Sequence, residues 1–150
     1  MRVVVQRVKK ASVEVSGEIV SEIGGGFLIL LGIAQDDTQA DIDWLCGKIS
    51  KLRVFADKND AMNHSIVDTK GDVIVVSQFT LHASVKKGNR PSFIKAARPE
   101  EAIPLYETFV KGMETEIGKK VQTGVFGAMM DIALVNDGPV TIVIDSKNKV

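Results

Sequence analysis

The chain has 150 residues, 45% of them apolar and 25% charged, which suits a folded domain with its own core and excludes a disordered chain. Lysine plus arginine and aspartate plus glutamate both count 19, so the formal net charge is +0, which argues against nonspecific coating of nucleic acid and leaves open local recognition of one RNA end. The single cysteine, Cys46, excludes an internal disulfide and a zinc site of several thiolates; its helix-patterned neighbours predict a buried small hydrophobe. Met1 to Lys10 lacks the apolar core of a secretory leader, and the longest apolar run, Phe27 to Ile33, is too short to cross a bilayer. The expectation is a soluble, cytoplasmic protein with a single domain over 1–150.

Arg2 to Val8 is valine-rich and reads as a strand, and Ser12 to Val20 reads as a hairpin about Ser16-Gly17. Gly24-Gly25-Gly26 lacks the lysine and serine of a phosphate loop and precedes a strand, so it predicts a bend or bulge before a central strand at Phe27 to Ile33. Asp36 or Asp37 is placed to cap a helix running to about Val54, with Ile42, Leu45, Ile49 and Leu52 as its apolar stripe. Asp57 to Lys70 reads as a loop or a short irregular pair. Val73 to Val76 reads as a buried strand running straight into Ser77-Gln78-Phe79-Thr80-Leu81, followed by a polar loop, Ser84 to Arg90.

A second long helix is predicted over Pro99 to Gly118, with Leu105, Phe109, Met113 and Ile117 inward; Pro104 fits either its first turns or its true start. Lys120 to Phe126, Asp131 to Asn136 and Val140 to Asp145 read as three closing strands, the last two joined by a turn at Asp137-Gly138-Pro139. About eight strands in consecutive runs and two substantial helices predict an α+β, mostly β fold: a mixed or antiparallel sheet curled toward a barrel, with two flanking helices.

Conventional catalysts are scarce. His64 and His82 form no metal-ligand spacing, and there is neither a His-Glu-x-x-His pattern nor a glycine-x-serine-x-glycine elbow, so no metal site and no cofactor are expected. Glu100-Glu101 and Asp36-Asp37 suit helix starts, where the dipole favours anions.

Two polar segments remain. In Ser77-Gln78-Phe79-Thr80, strand alternation puts Gln78 and Thr80 on one face, where an amide and a hydroxyl would hold a carbonyl oxygen and a water together; the same pattern fits a strand gaining polar residues as it leaves the core. Asn136-Asp137-Gly138-Pro139-Val140-Thr141 fits an ordinary hairpin turn. Its proline donates no ladder hydrogen bond, and a cis glycine-proline bond would instead make a rigid surface of backbone carbonyls.

These two segments, with Met1-Arg2-Val3-Val4-Val5-Gln6-Arg7-Val8, Gly88-Asn89-Arg90-Pro91-Ser92-Phe93 and Thr123-Gly124-Val125-Phe126-Gly127-Ala128, closely resemble the D-aminoacyl-tRNA deacylase family. Five strings in order over nearly the whole chain make the resemblance specific. It implies a homodimer, with its active site at the subunit interface, that hydrolyses the ester between a D-amino acid and the acceptor end of aminoacyl-tRNA, and that also removes glycine mischarged on alanine tRNA. It further implies that Gly138 and Pro139 form a cis bond entering the partner's pocket, with Asn136 in the same motif and Arg7 orienting it. Phe126 and Gly138 would offer backbone oxygens to the α-ammonium, and Met130 would line the adenosine pocket.

A wall of backbone carbonyls would clash with any L side chain yet accept the hydrogen of glycine or a D-residue, so no favoured contact to a D side chain is needed. By resemblance Thr80 is the nucleophile candidate, but no base stands out to activate it. The favoured mechanism has the ribose 2′-OH assisting a water, Gln78 and the Phe79 amide near the carbonyl, Ser77 beside them and Thr80 as a positioning group. Lys86, Lys87 and Arg90 form either a phosphate contact or a solvated loop. An alternative from another class is a non-catalytic dimeric module binding a small molecule or an RNA end.

Overall fold

The computed structural model describes residues 1–150. Strand β1 (Arg2–Val15) alternates in burial, with Val3 and Val5 inside and their neighbours half-buried, as a pleated strand requires. The strand read from the sequence as ending at Val8 thus continues to Val15. Ser16 and Gly17 then take φ of 52° and 81°, the pair of left-handed residues that matches a two-residue turn to strand twist. The chain returns as β2 (Glu18–Ile23), which gives the predicted hairpin.

Strand β3 (Gly26–Gly32) is apolar throughout because both its faces are covered. It lies between β1, antiparallel, and β6 (Asp72–Ser77), parallel, so the sheet is mixed. The triple glycine serves this approach: a Cβ on Gly26 would stand 1.8 Å from the Asp72 carbonyl oxygen.

Helix α1 (Gln39–Ser50) is shorter than predicted at both ends. Its N-cap is Thr38, whose N–H donates to Asp41 Oδ2 at 2.8 Å, and neither Asp36 nor Asp37 caps it. Asp37 is drawn elsewhere, accepting from Ala34 N at 2.7 Å and from the Met1 ammonium at 2.5 Å. Strands β4 (Phe55–Ala56) and β5 (Met62–His64) form the short irregular pair, and α2 (Ile66–Thr69) is a single turn. Helix α3 (Pro99–Ile117) starts at its N1 proline and ends at Gly118 with φ 71°, so Pro104 lies inside it.

Phe109 and Met113 of α3 and Ile42, Leu45 and Ile49 of α1 bury against Val3, Val5, Phe27, Ile29 and Val75, forming the core between helices and sheet. The opposite side chains, including Val8, Val13, Leu28, Ile74 and Val76, fill the inside of the curl. Sheet order is β2-β1-β3-β6-β7, with β7 being Gln122–Thr123. The curl nearly closes where Glu22 N donates to Gln122 Oε1 at 2.8 Å and Ser21 Oγ donates to the Thr123 carbonyl.

The end of the chain departs from its reading as three strands. Only Gln122–Thr123 remains of the first, while the other two are one strand, β8 (Asp131–Asp145), antiparallel to β1. Gln6 pairs with Thr141 and Val8 with Asn136, so Asp137 to Val140 stand opposite Arg7 alone. The segment is therefore a large bulge and not a hairpin turn, because the residues on either side of it pair with β1 instead of with each other. Asn136 holds its base: Oδ1 accepts from Val140 N at 2.9 Å and Nδ2 donates to Thr141 Oγ1 at 3.0 Å. The Gly138-Pro139 peptide is cis. No helix is long and apolar enough to cross a membrane.

Candidate active site

Strand β6 is buried from Val73 to Val76, and its polar end leaves the sheet at once. Alternation stops at Ser77, because Phe79–His82 coil into one 3-10 turn in place of the straight extension read from the sequence. Gln78 N donates to the Leu31 carbonyl at 2.8 Å, and Leu81 N donates to the Gln78 carbonyl at 3.2 Å. Gly32 makes room for this turn, since a Cβ there would meet Leu81 Cβ at 2.9 Å and the Gln78 carbonyl oxygen at 3.0 Å. Gln78 and Thr80 still come together, by a route other than pleating: Gln78 Nε2 donates to Thr80 Oγ1 at 2.5 Å.

A cleft of about 330 Å³ opens at this corner, and Ser77, Gln78, Phe79, Phe126 and Met130 line it. Thr80 is exposed and, although bonded to Gln78, is not part of the lining. Gly124 lets Met130 settle inward, because a Cβ at Gly124 would lie 2.5 Å from the Met130 sulfur. Met129, by contrast, is almost wholly exposed. The Phe126 ring packs edge-on to Tyr106, with centroids 5.8 Å apart. Tyr106 is buried and donates its hydroxyl to the Val75 carbonyl at 2.7 Å. Burial pushes its phenol up to about 12, so it remains a neutral donor. Phe79 meets the edge of Phe93 with centroids 5.1 Å apart.

No ionisable side chain lines the cleft. His82 has its Nε2 3.1 Å from the Gly32 carbonyl oxygen, and His64 lies 3.9 Å from Asp68 on the surface. Cys46 is buried under α3, and desolvation together with Glu116 and Asp43 pushes its thiol up to about 12, leaving it unreactive. The arrangement offers neutral hydrogen-bonding groups for a polarised carbonyl and flat apolar walls for a ring system.

The remaining predicted residues form a second group at the β8 bulge, none of which lines the cleft. Arg7 is mostly buried; its Nε donates to the Asp137 carbonyl at 3.1 Å and lies 3.5 Å from Asp137 Oδ2, while Nη1 donates to the Val54 carbonyl. Gly138 and Pro139 are exposed, and Gly138 has φ 123°. Asn136 faces its own bulge. The sequence reading missed Tyr106, Phe93 and Gly32 as supports. Tyr106 left a trace, since a tyrosine on the apolar face of a helix needs a partner for its hydroxyl.

The family model described as D-Tyr-tRNA(Tyr) deacylase matches residues 4–145. The chain belongs to that family. It is therefore a hydrolase of the D-aminoacyl-tRNA deacylase kind. It is 64% identical over 149 residues to the D-aminoacyl-tRNA deacylase of Flavobacterium johnsoniae, covering 99% of both chains. It is 58% identical over 149 residues to that of Bacteroides thetaiotaomicron, again over 99% of both. Among solved structures, the c-Myc DNA Unwinding Element Binding Protein superposes with a TM-score of 0.90 at 41% identity, covering 97% of this chain and 98% of that one. A probable eukaryotic D-amino acid tRNA deacylase shares the fold with a TM-score of 0.82 at 17% identity, covering 95% and 97%.

Proposed function

We propose that this deacylase hydrolyses the ester of D-aminoacyl-tRNA in the cytoplasm, giving free D-amino acid and tRNA, and that it also clears glycine from mischarged alanine tRNA. The observation that carries the mechanism is a cleft with an amide and aromatic walls but no acid, base or nucleophile-base pair in its lining. An aminoacyl ester is already activated, so orienting it and stabilising the oxyanion suffices. The oxygen of a water adds to the ester carbonyl while the ribose 2′-OH relays its proton. Gln78 and the Phe79 N–H stabilise the oxyanion. Collapse breaks the bond to the ribose 3′ oxygen, which takes the relayed proton, and the amino acid leaves as a carboxylic acid that gives the water's second proton to solvent. Thr80 holds the Gln78 amide and Ser77 completes the polar rim; Met130 and Phe126 receive the terminal adenosine and the α-ammonium.

The active form is a homodimer in which Gly138 and Pro139 of one copy enter the cleft of the other. Two features support this: the exposed bulge and the cleft belong to different parts of one chain, and β8 leaves its outer edge open with Val135 and Val143 exposed. Backbone carbonyls entering the cleft reject an L side chain sterically and leave D-residues and glycine.

Release of tyrosine from matched D- and L-tyrosyl-tRNA, with enzyme well below substrate, tests the reading. Multiple turnovers on the D-ester alone are expected. Equal cleavage of both would retain the hydrolase and remove the chiral wall, whereas turnover of neither would favour a binding module.

A further inference from the structure

Between Asp72 and Glu100 the chain holds no acid, while Lys86, Lys87, Arg90, Lys95 and Arg98 place five cations there. In a protein of formal net charge +0, that concentrates positive charge in one segment. Elsewhere Arg2, Arg7, Lys119 and Lys147 meet Asp145, Asp137, Asp72 and Asp41. Lys86, Lys87 and Arg90 take part in no ion pair.

The segment is nevertheless fixed at its base. Ser84 and Ser92 exchange two backbone hydrogen bonds, of 2.8 and 2.9 Å, and Ala97 N donates to the Ile33 carbonyl at 2.9 Å. All residues from Val85 to Pro91 are exposed. Directly after the loop, Phe93 meets Phe79, a residue of the cleft lining. A loop of this length, folded back on itself, projects about three residues from its base, roughly 10 Å. That is close to the Debye length of ~8 Å at physiological salt, so its charges act on anions near the cleft and little beyond.

We propose that Lys86, Lys87 and Arg90 form a phosphate-binding loop that holds the backbone of the substrate RNA next to the ester-bearing end. The proposal rests on the deacylase reading for its choice of ligand. The two lysines act as point charges, and the Arg90 guanidinium offers a fork matched to two phosphate oxygens. Local charge of this kind lets a neutral protein bind RNA at one end without coating it.

The test is the salt dependence of binding to deacylated tRNA, compared between the wild-type protein and the triple variant Lys86→Ala, Lys87→Ala, Arg90→Ala. The slope of log K against log salt should become shallower by about 2 to 3, at roughly 0.7 to 0.9 for each phosphate no longer neutralised. The variant Lys86→Arg, Lys87→Arg should keep the wild-type slope, which separates charge from loop folding. In hydrolysis, the triple variant should raise KM for D-aminoacyl-tRNA about tenfold or more, with a far smaller effect on D-aminoacyl adenosine, which lacks those phosphates. An unchanged slope, or equal losses on tRNA and on the adenosine ester, overturns the proposal. Loop-dependent binding without ester cleavage by the wild-type protein would sustain the phosphate loop and sink the hydrolase reading; cleavage with a loop-independent slope would do the reverse.

Discussion

At the end of β6 the chain makes a hollow from side chains, whereas midway along β8 it makes a projection from backbone. In the hollow, an amide, two phenylalanines and a thioether line the walls, and other side chains hold three of them: Thr80 on Gln78, Tyr106 on Phe126, Phe93 on Phe79. At the projection the side chains turn inward instead. Asn136 and Arg7 spend their hydrogen bonds on Val140 N, Thr141 and the Asp137 carbonyl, leaving Gly138 and Pro139 exposed. Side chains recognise by attraction, and rigid backbone excludes by shape. The two regions therefore divide the labour of the proposed reaction, chemistry in one and chirality in the other, and substitutions should separate them.

The largest effect is expected from Gln78→Ala, which removes a proposed oxyanion donor from the hollow. It should lower kcat on D-tyrosyl-tRNA about 100-fold and any L-ester release by the same factor, leaving the D-to-L ratio unchanged. Single-turnover release measured on both esters checks this. A Gln78→Ala protein that cleaved the L-ester relatively better would break the division between the regions.

Gly138→Ala should act on the other side of the comparison. A Cβ there would meet Arg7 Nη2 at 2.8 Å and Val140 Cγ2 at 3.1 Å, on a backbone with φ 123° that L side chains rarely adopt. The bulge must shift, so D-ester kcat/KM should drop by tens-fold and the D-to-L ratio should narrow. Arg7→Ala is expected to do the same more gently, about tenfold, because the bulge keeps its Asn136 bonds. Measuring the D-to-L ratio beside a thermal melt distinguishes altered selection from unfolding.

Acid should act on neither region first. Burial opposes the charge on Asp41, but the Ser146 hydroxyl, the Thr38 amide, Lys147 and the amino terminus outweigh it and hold its carboxyl down at about 2, against 3.8 unperturbed. A depressed carboxylate stabilises the fold above its unfolded value and loses that contribution as pH falls. Some 2 kcal/mol should therefore disappear between about pH 4 and pH 2. Denaturant melts of wild type and Asp41→Asn across that range should converge at the acid end.

The hollow and the projection also differed in how far they were legible from sequence. The hairpin at Ser16-Gly17, the β3 core strand and both long helices followed from local rules, and the start of α1 differed because Asp37 is claimed by the Met1 ammonium, a contact far away in sequence. The pairing of Gln78 with Thr80 was expected for the wrong reason, since a 3-10 turn and not strand alternation brings them together. The bulge was hidden because Asp-Gly between two apolar runs is also how a hairpin is written. Only the pairing of both runs with β1, across Arg7, decides between them. Tyr106 was hidden because its partner, the Val75 carbonyl, lies on another element.

The smallest effect is the one that tests the chemistry of the hollow most closely. Thr80 is tied to Gln78 and stands outside the cleft lining, with no base among the residues there to take its proton. Were it the nucleophile, Thr80→Ala would abolish turnover, because no acyl-enzyme could form. As a support for the Gln78 amide it contributes orientation only, and its loss lets that amide sample other rotamers without removing the donor. Thr80→Ala should therefore retain activity within about tenfold of wild type, with the deficit in kcat and the D-to-L ratio intact. Thr80→Ser, which keeps the hydroxyl, should recover most of the deficit. Complete loss in a folded Thr80→Ala protein would move Thr80 from support to nucleophile and require a base that the cleft lining does not provide.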